Sequence, residues 1–143
     1  MLIKQISVFM QNKKGCVAEF CRLLGSRGID MAATTIADTS SYGILRAVVK
    51  DTPAVLKLLR EEGYEVSSCD VLAILVDDRA GGLAAVLTAM DDAGVAVEYL
   101  YSAVRHVEGH SVVILRVDDA ARAQSACEAS CLRTLSAGEL LPE

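Results

Sequence analysis

The sequence predicts an α+β protein made of two consecutive βαββαβ units of the ferredoxin-like plan, packed side by side, each with both helices on one face of an antiparallel sheet. The first observation behind this is an internal repeat of strand, polar turn, apolar helix and glycine. Its matching glycines are 66 positions apart, Gly15 with Gly81 and Gly28 with Gly94. The second is the direct join between the halves near residues 69–70, which leaves no room for a flexible linker.

The first unit is expected to occupy residues 1–70. Apolar and β-branched residues predict a strand at 2–10, and apolar residues at helical spacing predict a helix that ends in the cluster at 25–28. Hairpin strands at 29–37 and 43–50 surround a turn at 38–43. The second helix is expected to take Thr52 as its cap and Pro53 as its first residue, and to end at Gly63. A fourth strand follows at 64–68.

The second unit, residues 71–143, repeats this order. Its predicted elements are a strand at about 71–77, a helix at 82–93, hairpin strands at 95–105 and 110–117, a helix at about 119–130 and a short strand near 132–136. The last helix has the weakest apolar stripe, formed by Ala123, Ala126, Cys127 and Ser130.

Composition excludes several classes of function. A net charge of −5 and a pI near 5.0 leave no basic face for nucleic acid. No apolar run approaches the roughly 20 residues of a membrane span, and no leader is visible, so a soluble, cytoplasmic protein is expected. Five cysteines without a CxxC pair argue against a disulfide framework. A core of aliphatic rather than aromatic residues is expected, because aromatic residues make up only 4% of the chain.

The two strand-to-helix turns are candidate anion sites. Residues 12–17 and 78–83 each place a short polar side chain and a glycine just before a helix. Unpaired N–H groups and the positive end of the helix dipole at such a turn can hold a carboxylate. The alternative is that Asn12 and Asp78 are only turn or capping residues.

The repeated motif resembles the ACT domain, a small regulatory module that binds amino acids. The resemblance lies in Asn12–Val17 and Asp78–Leu83, each followed by a helix, and in the strands that open with Gly28–Met31 and Gly94–Val97. Two copies in register over nearly the whole chain resemble the free-standing tandem ACT proteins of bacteria. Residues 41–46 and 98–102 fit that subgroup.

This resemblance implies an amino acid held where the glycine turn of one unit faces the second strand of the other. The residues it assigns to the ligand are Asn12, Lys14, Gly15, Cys16 and Val17 in one turn, Asp78, Ala80, Gly81, Gly82 and Leu83 in the other, and Asp30 and Met31 on the strand. Asp30 would take the ligand's ammonium group, whereas the matching residue Ala96 cannot. The site that uses Asp30 is therefore favoured. Tyr99 either lines an interface pocket or is buried at the contact between units.

Three functional hypotheses follow. The leading one is a non-enzymatic sensor that binds a free amino acid between its units, needs no cofactor, forms a homodimer and acts on an unidentified protein target. The second is an interaction module of the same fold without a ligand. The third is a thiol or metal protein using Cys16, Cys21, His106 and His110, although two histidines without a third ligand make a poor zinc site. An enzyme is disfavoured because no nucleophile–base set, P-loop or GxGxxG motif is present.

Overall fold

The computed structural model describes residues 1–38 and 41–142. Its strands and helices are β1 (Ile3–Gln11), α1 (Cys16–Ser26), β2 (Met31–Asp38), β3 (Tyr42–Val49), α2 (Thr52–Glu61), β4 (Glu65–Val76), α3 (Gly82–Asp92), β5 (Val97–Ser102), β6 (Ser111–Val117), α4 (Ala120–Ala129) and α5 (Ala137–Leu140). The predicted α+β class and the two βαββαβ units are confirmed. Within the described residues no helix is long and apolar enough to cross a bilayer. Part of the predicted turn at 38–43 lies outside the described residues.

The two units share a single antiparallel sheet with the strand order β2-β3-β1-β4-β6-β5. The predicted strands at 64–68 and 71–77 are one continuous strand, β4, which begins at Glu65 and ends at Val76. Its first part pairs with β1 and its second part with β6, the change falling between Val71 and Leu72. No glycine or proline interrupts this stretch, so nothing forces the chain to turn there. The predicted unit boundary at 70/71 lies inside this shared strand.

The sheet is curled, and its two ends meet. Ala33 in β2 forms an isolated antiparallel bridge with Ala103, just after β5. The N–H of Val104 also donates to the carbonyl of Ala32 at 2.9 Å. The second strands of the two units are therefore neighbours in space, although they are the first and last strands of the sheet.

Three apolar clusters stabilise this arrangement. Two lie on the outer face of the sheet, one per unit, and include Phe20 of α1 in the first unit and Val86 of α3 in the second. The third lies on the inner face, which is the face opposite the helices α1 to α4. It contains Ile114 and Leu135 and joins the two units. The units consequently share both a hydrogen-bonded sheet and a core.

The second helix begins differently from the prediction. Asp51 rather than Thr52 is the N-cap of α2, and its carboxylate accepts a hydrogen bond from the N–H of Ala54 at 3.1 Å. Thr52 is the first helical residue and Pro53 the second. An aspartate one residue earlier caps the helix with a charged acceptor, so the threonine hydroxyl is not needed.

The chain after α4 contains an element that the sequence analysis did not predict. The expected strand near 132–136 is reduced to a bridge between Thr134 and Ile74 in β4. The short helix α5 follows, with Ser136 and Glu139 forming a capping box. This Ser-x-x-Glu pattern is the signal that could have predicted the helix. Leu140 at the end of α5 and Leu141 after it are buried in the inner cluster.

Acid is expected to loosen this C-terminal segment. Hydrogen bonds from the Ser136 N–H and from Arg133 hold the pKa of Glu139 below its ordinary value of 4.5. A carboxyl group whose pKa is lowered by folding stabilises the fold at pH values above its ordinary pKa. This contribution is lost as the pH falls through the folded-state pKa. We expect less than about 1 kcal/mol, because the pair is exposed. Urea unfolding should show that the free energy of unfolding falls more between neutral and acidic pH for the wild type than for Glu139→Gln. Equal decreases in the two proteins would contradict this expectation.

Candidate functional site

The two glycine turns have nearly the same backbone geometry. Gly15 and Gly81 are the N-caps of α1 and α3, with φ of 90° and 88°, a region that glycine adopts without strain. Neither helix receives a side-chain cap. Asn12 and Asp78 therefore do not cap these helices, and the alternative that they are only turn residues stays open.

Because glycine has no side chain to cap the helix, each turn leaves backbone N–H groups without a hydrogen-bond acceptor. Among the described residues, the N–H groups of Val17 and Ala18 at the start of α1 meet no protein acceptor, and the same holds for Leu83 and Ala84 at the start of α3. Val17 and Leu83 are also partly exposed. Both turns can thus offer N–H donors to an external anion.

The second turn is held by the hairpin between β5 and β6. Nε2 of His106 lies 3.8 Å from a carboxylate oxygen of Asp78, and Nε2 of His110 lies 3.5 Å from one of Asp77. These contacts become ion pairs only when the histidines are protonated. In the part of the chain that the structure describes, no three His, Cys, Asp or Glu side chains form a group that could hold a metal ion. All five cysteines are free thiols.

Asp30 lies at the contact between the units. Because β2 meets β5 in antiparallel fashion, Asp30 just before β2 comes beside Arg105 just after β5. The Arg105 guanidinium donates a hydrogen bond to the Asp30 carboxylate, and both side chains are about half exposed. The next residue, His106, contacts Asp78. Two adjacent residues of the hairpin therefore connect Asp30 of the first unit to the glycine turn of the second.

The second combination, the first turn with the strand that carries Ala96, lacks a charged partner. Ala96, which matches Asp30 in the repeat, has no carboxylate, and its N–H donates to the Asp118 side chain at 3.0 Å. The first turn instead contacts its own hairpin, since the Asn12 N–H donates to the carbonyl of Ser41 at 3.3 Å. The two turns thus have different electrostatic surroundings.

The predicted site residues line separate cavities. Asp30 borders a cavity of about 600 Å³ between the loop after α1 and helix α2, which Leu141 and Pro142 also line. Gly82 borders one of about 220 Å³ that also contacts His110. Cys16 borders one of about 320 Å³. Exposed Lys14 and Ala80 line none of these three.

Two predicted strand residues point away from Asp30. Met31 packs against the outer cluster of the first unit. Tyr99 lies on the inner face, where its hydroxyl accepts a hydrogen bond from the fully buried Gln5 at 2.7 Å. The Tyr101 hydroxyl donates to the same amide at 2.6 Å, and burial raises the pKa of Tyr101, which keeps this phenol neutral. Tyr99 therefore belongs to a polar cluster between the units.

Sequence reasoning missed three residues at these contacts: Gln5, Arg46 and Arg105. The sequence contained a signal for Gln5, because a polar amide interrupts an otherwise largely apolar strand. In the structure this amide is buried and hydrogen-bonded to Tyr99 and Tyr101. Arg46 had a similar sequence signal, because it is a charged residue within the apolar run of β3. Its guanidinium lies 3.8 Å above the Tyr99 ring. Arg105 had no local signal, since its role depends on the meeting of β2 with β5.

A shared sheet, glycine-capped helices and a polar contact between two βαββαβ units are the features of a paired module of the ACT type. The family model described as ACT domain pair matches residues 1–140, and the chain belongs to that family. No curated protein matches the sequence.

Solved structures give the same architecture. Protein BT0572 from Bacteroides thetaiotaomicron is 29% identical, with a TM-score of 0.91 over 100% of this chain and 98% of that one. The regulatory subunit of aspartate kinase from Thermus thermophilus, in its ligand-free form, is 18% identical, with a TM-score of 0.62 over 89% and 91% of the two chains. Its counterpart from Thermus flavus is 18% identical, with a TM-score of 0.57 over 92% and 95%. The two kinase subunits show the fold alone.

Proposed function

We propose that this ACT domain pair is a cytoplasmic, non-enzymatic regulatory protein that binds a free amino acid between its units, at the second glycine turn. One observation carries the proposal: the Arg105–Asp30 contact joins the units directly beside the turn held by His106. Membership of the ACT domain pair family supports the regulatory part of this function.

The charges at this position suit a zwitterion. An amino acid carries a carboxylate and an ammonium group on one carbon, and Arg105 and Asp30 present the opposite charges side by side. The carboxylate of Asp30 would receive the ammonium group. The ligand carboxylate would bind Arg105 or the free N–H groups of Leu83 and Ala84. Because the pair is half exposed, separating it costs little.

One site per chain is expected to dominate. The first turn, residues 12–17, has equivalent backbone donors, but the strand position facing it carries Ala96 instead of an acid. A ligand there would have to leave its ammonium group in water. The difference between the two sites is thus set by a single carboxylate.

Binding at this contact would favour one packing of the units over another. A ligand shifts a conformational equilibrium by its difference in affinity for the two states. Since Asp30 and Arg105 come from different units, a ligand that bridges them stabilises the closed contact between β2 and β5. We propose that a homodimer or a protein target reads this change.

A thermal-shift panel of the twenty amino acids tests the proposal. A ligand at 100 times its dissociation constant adds about 2.7 kcal/mol of stability, so one or two amino acids should raise the melting temperature selectively. Asp30→Asn should weaken that binding at least about tenfold, because the ammonium group loses its counter-charge.

Asp70→Asn is the matched control. Asp70 is also an exposed carboxylate in an ion pair, with Lys4 at 2.7 Å, but it lies on β4 away from the turn. Its loss should leave the affinity unchanged. A flat panel for the wild type would overturn amino-acid binding and favour the ligand-free interaction module. Equal affinity of Asp30→Asn and wild type would overturn the site.

A further inference from the structure

A row of polar side chains crosses the inner face of the first unit. The row consists of consecutive register partners on β2, β3, β1 and β4: Thr35, Arg46, Ser7 and Ser67. Their neighbours along the strands, such as Ile6 and Ala47, are buried in the outer cluster. Since side chains alternate across a strand, the polar row faces the opposite side. Its members are half-buried or exposed, so a ligand can reach them.

The guanidinium of Arg46 is stacked on an aromatic ring. It lies 3.8 Å above the ring of Tyr99, whose hydroxyl accepts a hydrogen bond from the Gln5 side chain. Among residues 1–38 and 41–142 it donates no hydrogen bond and meets no carboxylate. Stacking on an aromatic face leaves the edge donors of a guanidinium available for a planar acceptor.

Arg116 gives an internal comparison on the same inner face, since it is the register partner of Tyr99. Its guanidinium lies 3.5 Å from the Glu98 carboxylate and donates to the carbonyl of Asp70 at 2.9 Å. Arg116 thus has polar partners within the protein, whereas Arg46 has none in the part of the chain that the structure describes.

The rows on either side differ in polarity. Toward the interior, the next register partners are Gln5, which is buried, and Cys69, which is half-buried. Toward the edge, Phe9 and Ile44 are register partners, and Phe9 is 40% exposed. A cation with adjacent hydroxyls is therefore bordered by an accessible apolar surface.

We propose that the polar row binds a small monocarboxylate with an apolar body. Its carboxylate would accept two parallel hydrogen bonds from Arg46 and further ones from the hydroxyls of Ser7 and Thr35. Its apolar part would lie on Phe9. A single cation favours a monoanion over a phosphate ester, which carries more charge. This site shares no residue with the Asp30–Arg105 contact and does not depend on the function proposed there.

Calorimetric or NMR titration with 4-methylpentanoate and 3-phenylpropanoate tests the site. We expect saturable binding of at least one of these carboxylates, with shifts of the Ser7 and Arg46 amides. The neutral 4-methylpentanamide should bind at least about tenfold more weakly, since it offers no anion to Arg46. Absence of saturation by both acids, or equal binding of acid and amide, would overturn the proposal.

Substitutions at Arg46 distinguish binding at the polar row from binding elsewhere on the protein. Arg46→Met keeps an apolar side chain over Tyr99 and should weaken binding at least about tenfold. Arg46→Lys keeps the positive charge but lacks the planar guanidinium, so its affinity should lie between those of the wild type and Arg46→Met. Arg116→Met should bind like the wild type. Should Arg46→Met fail to fold, Ser7→Ala gives the second test, with a loss of at least about threefold expected. Unchanged affinity in the folded variants would overturn the assignment.

Discussion

Ile114→Ala is expected to lower the free energy of unfolding by about 2–5 kcal/mol, the usual cost of truncating a buried aliphatic side chain. Ile114 is fully buried between Ala73 of β4 and Tyr101 of β5, which are its register partners. The cavity cannot collapse easily, because the Tyr101 hydroxyl is tied to Gln5 at 2.6 Å. Urea unfolding followed by circular dichroism and tyrosine fluorescence would measure the loss.

Ile36→Ala is the matched control, because it removes the same side-chain atoms from an exposed position. Ile36 lies on β2 and is 47% exposed, so we expect a loss below about 1 kcal/mol, from strand propensity alone. Similar losses for the two variants would contradict the role of the inner cluster. Because β4 and this cluster belong to both units, Ile114→Ala should still unfold in one transition. Two separate transitions would mean that the units are independent.

The repeat allowed the fold to be predicted because it fixes local backbone geometry. The glycines at matching positions adopt matching conformations, as the φ values of 90° at Gly15 and 88° at Gly81 show. Hydrophobic period and turn residues are local signals, and they placed the long helices within a few residues. The unit boundaries at 1–70 and 71–143 stay a prediction.

Contacts between distant segments were beyond this reasoning. The fusion of two predicted strands into β4 depends on partners on both sides of the sheet, and the bridge from Ala33 to Ala103 depends on its curl. Periodicity reports which face of a strand is buried, but not which strand lies next to it. Asp30 was therefore selected from a motif, whereas its partner Arg105 required the structure. The same limit explains Tyr99, whose neighbours Gln5 and Arg46 were not predicted.

Gly82→Ala is expected to destabilise the protein by about 1–3 kcal/mol, the range for forcing a side chain into a packed site. A Cβ at this position would lie 2.0 Å from the carbonyl oxygen of Asp77 and 3.3 Å from Cγ1 of Val76. The first contact is with backbone, so the turn itself has to move. That movement would displace the free N–H groups of Leu83 and Ala84. Thermal unfolding measures the stability loss, and the amino-acid titration measures the effect on binding.

Cys16→Ala is the matched control, because Cys16 holds the equivalent first position of α1 and already carries a Cβ. We expect its stability to change by less than about 0.5 kcal/mol, as for most substitutions outside a core. An unchanged melting temperature for Gly82→Ala would show that the turn can relax around a methyl group. The second turn approaches its preceding strand more closely than the first, and this is also the turn joined to Asp30 through the hairpin. A side chain at position 82 should therefore disturb the contact between the units, whereas one at position 16 does not.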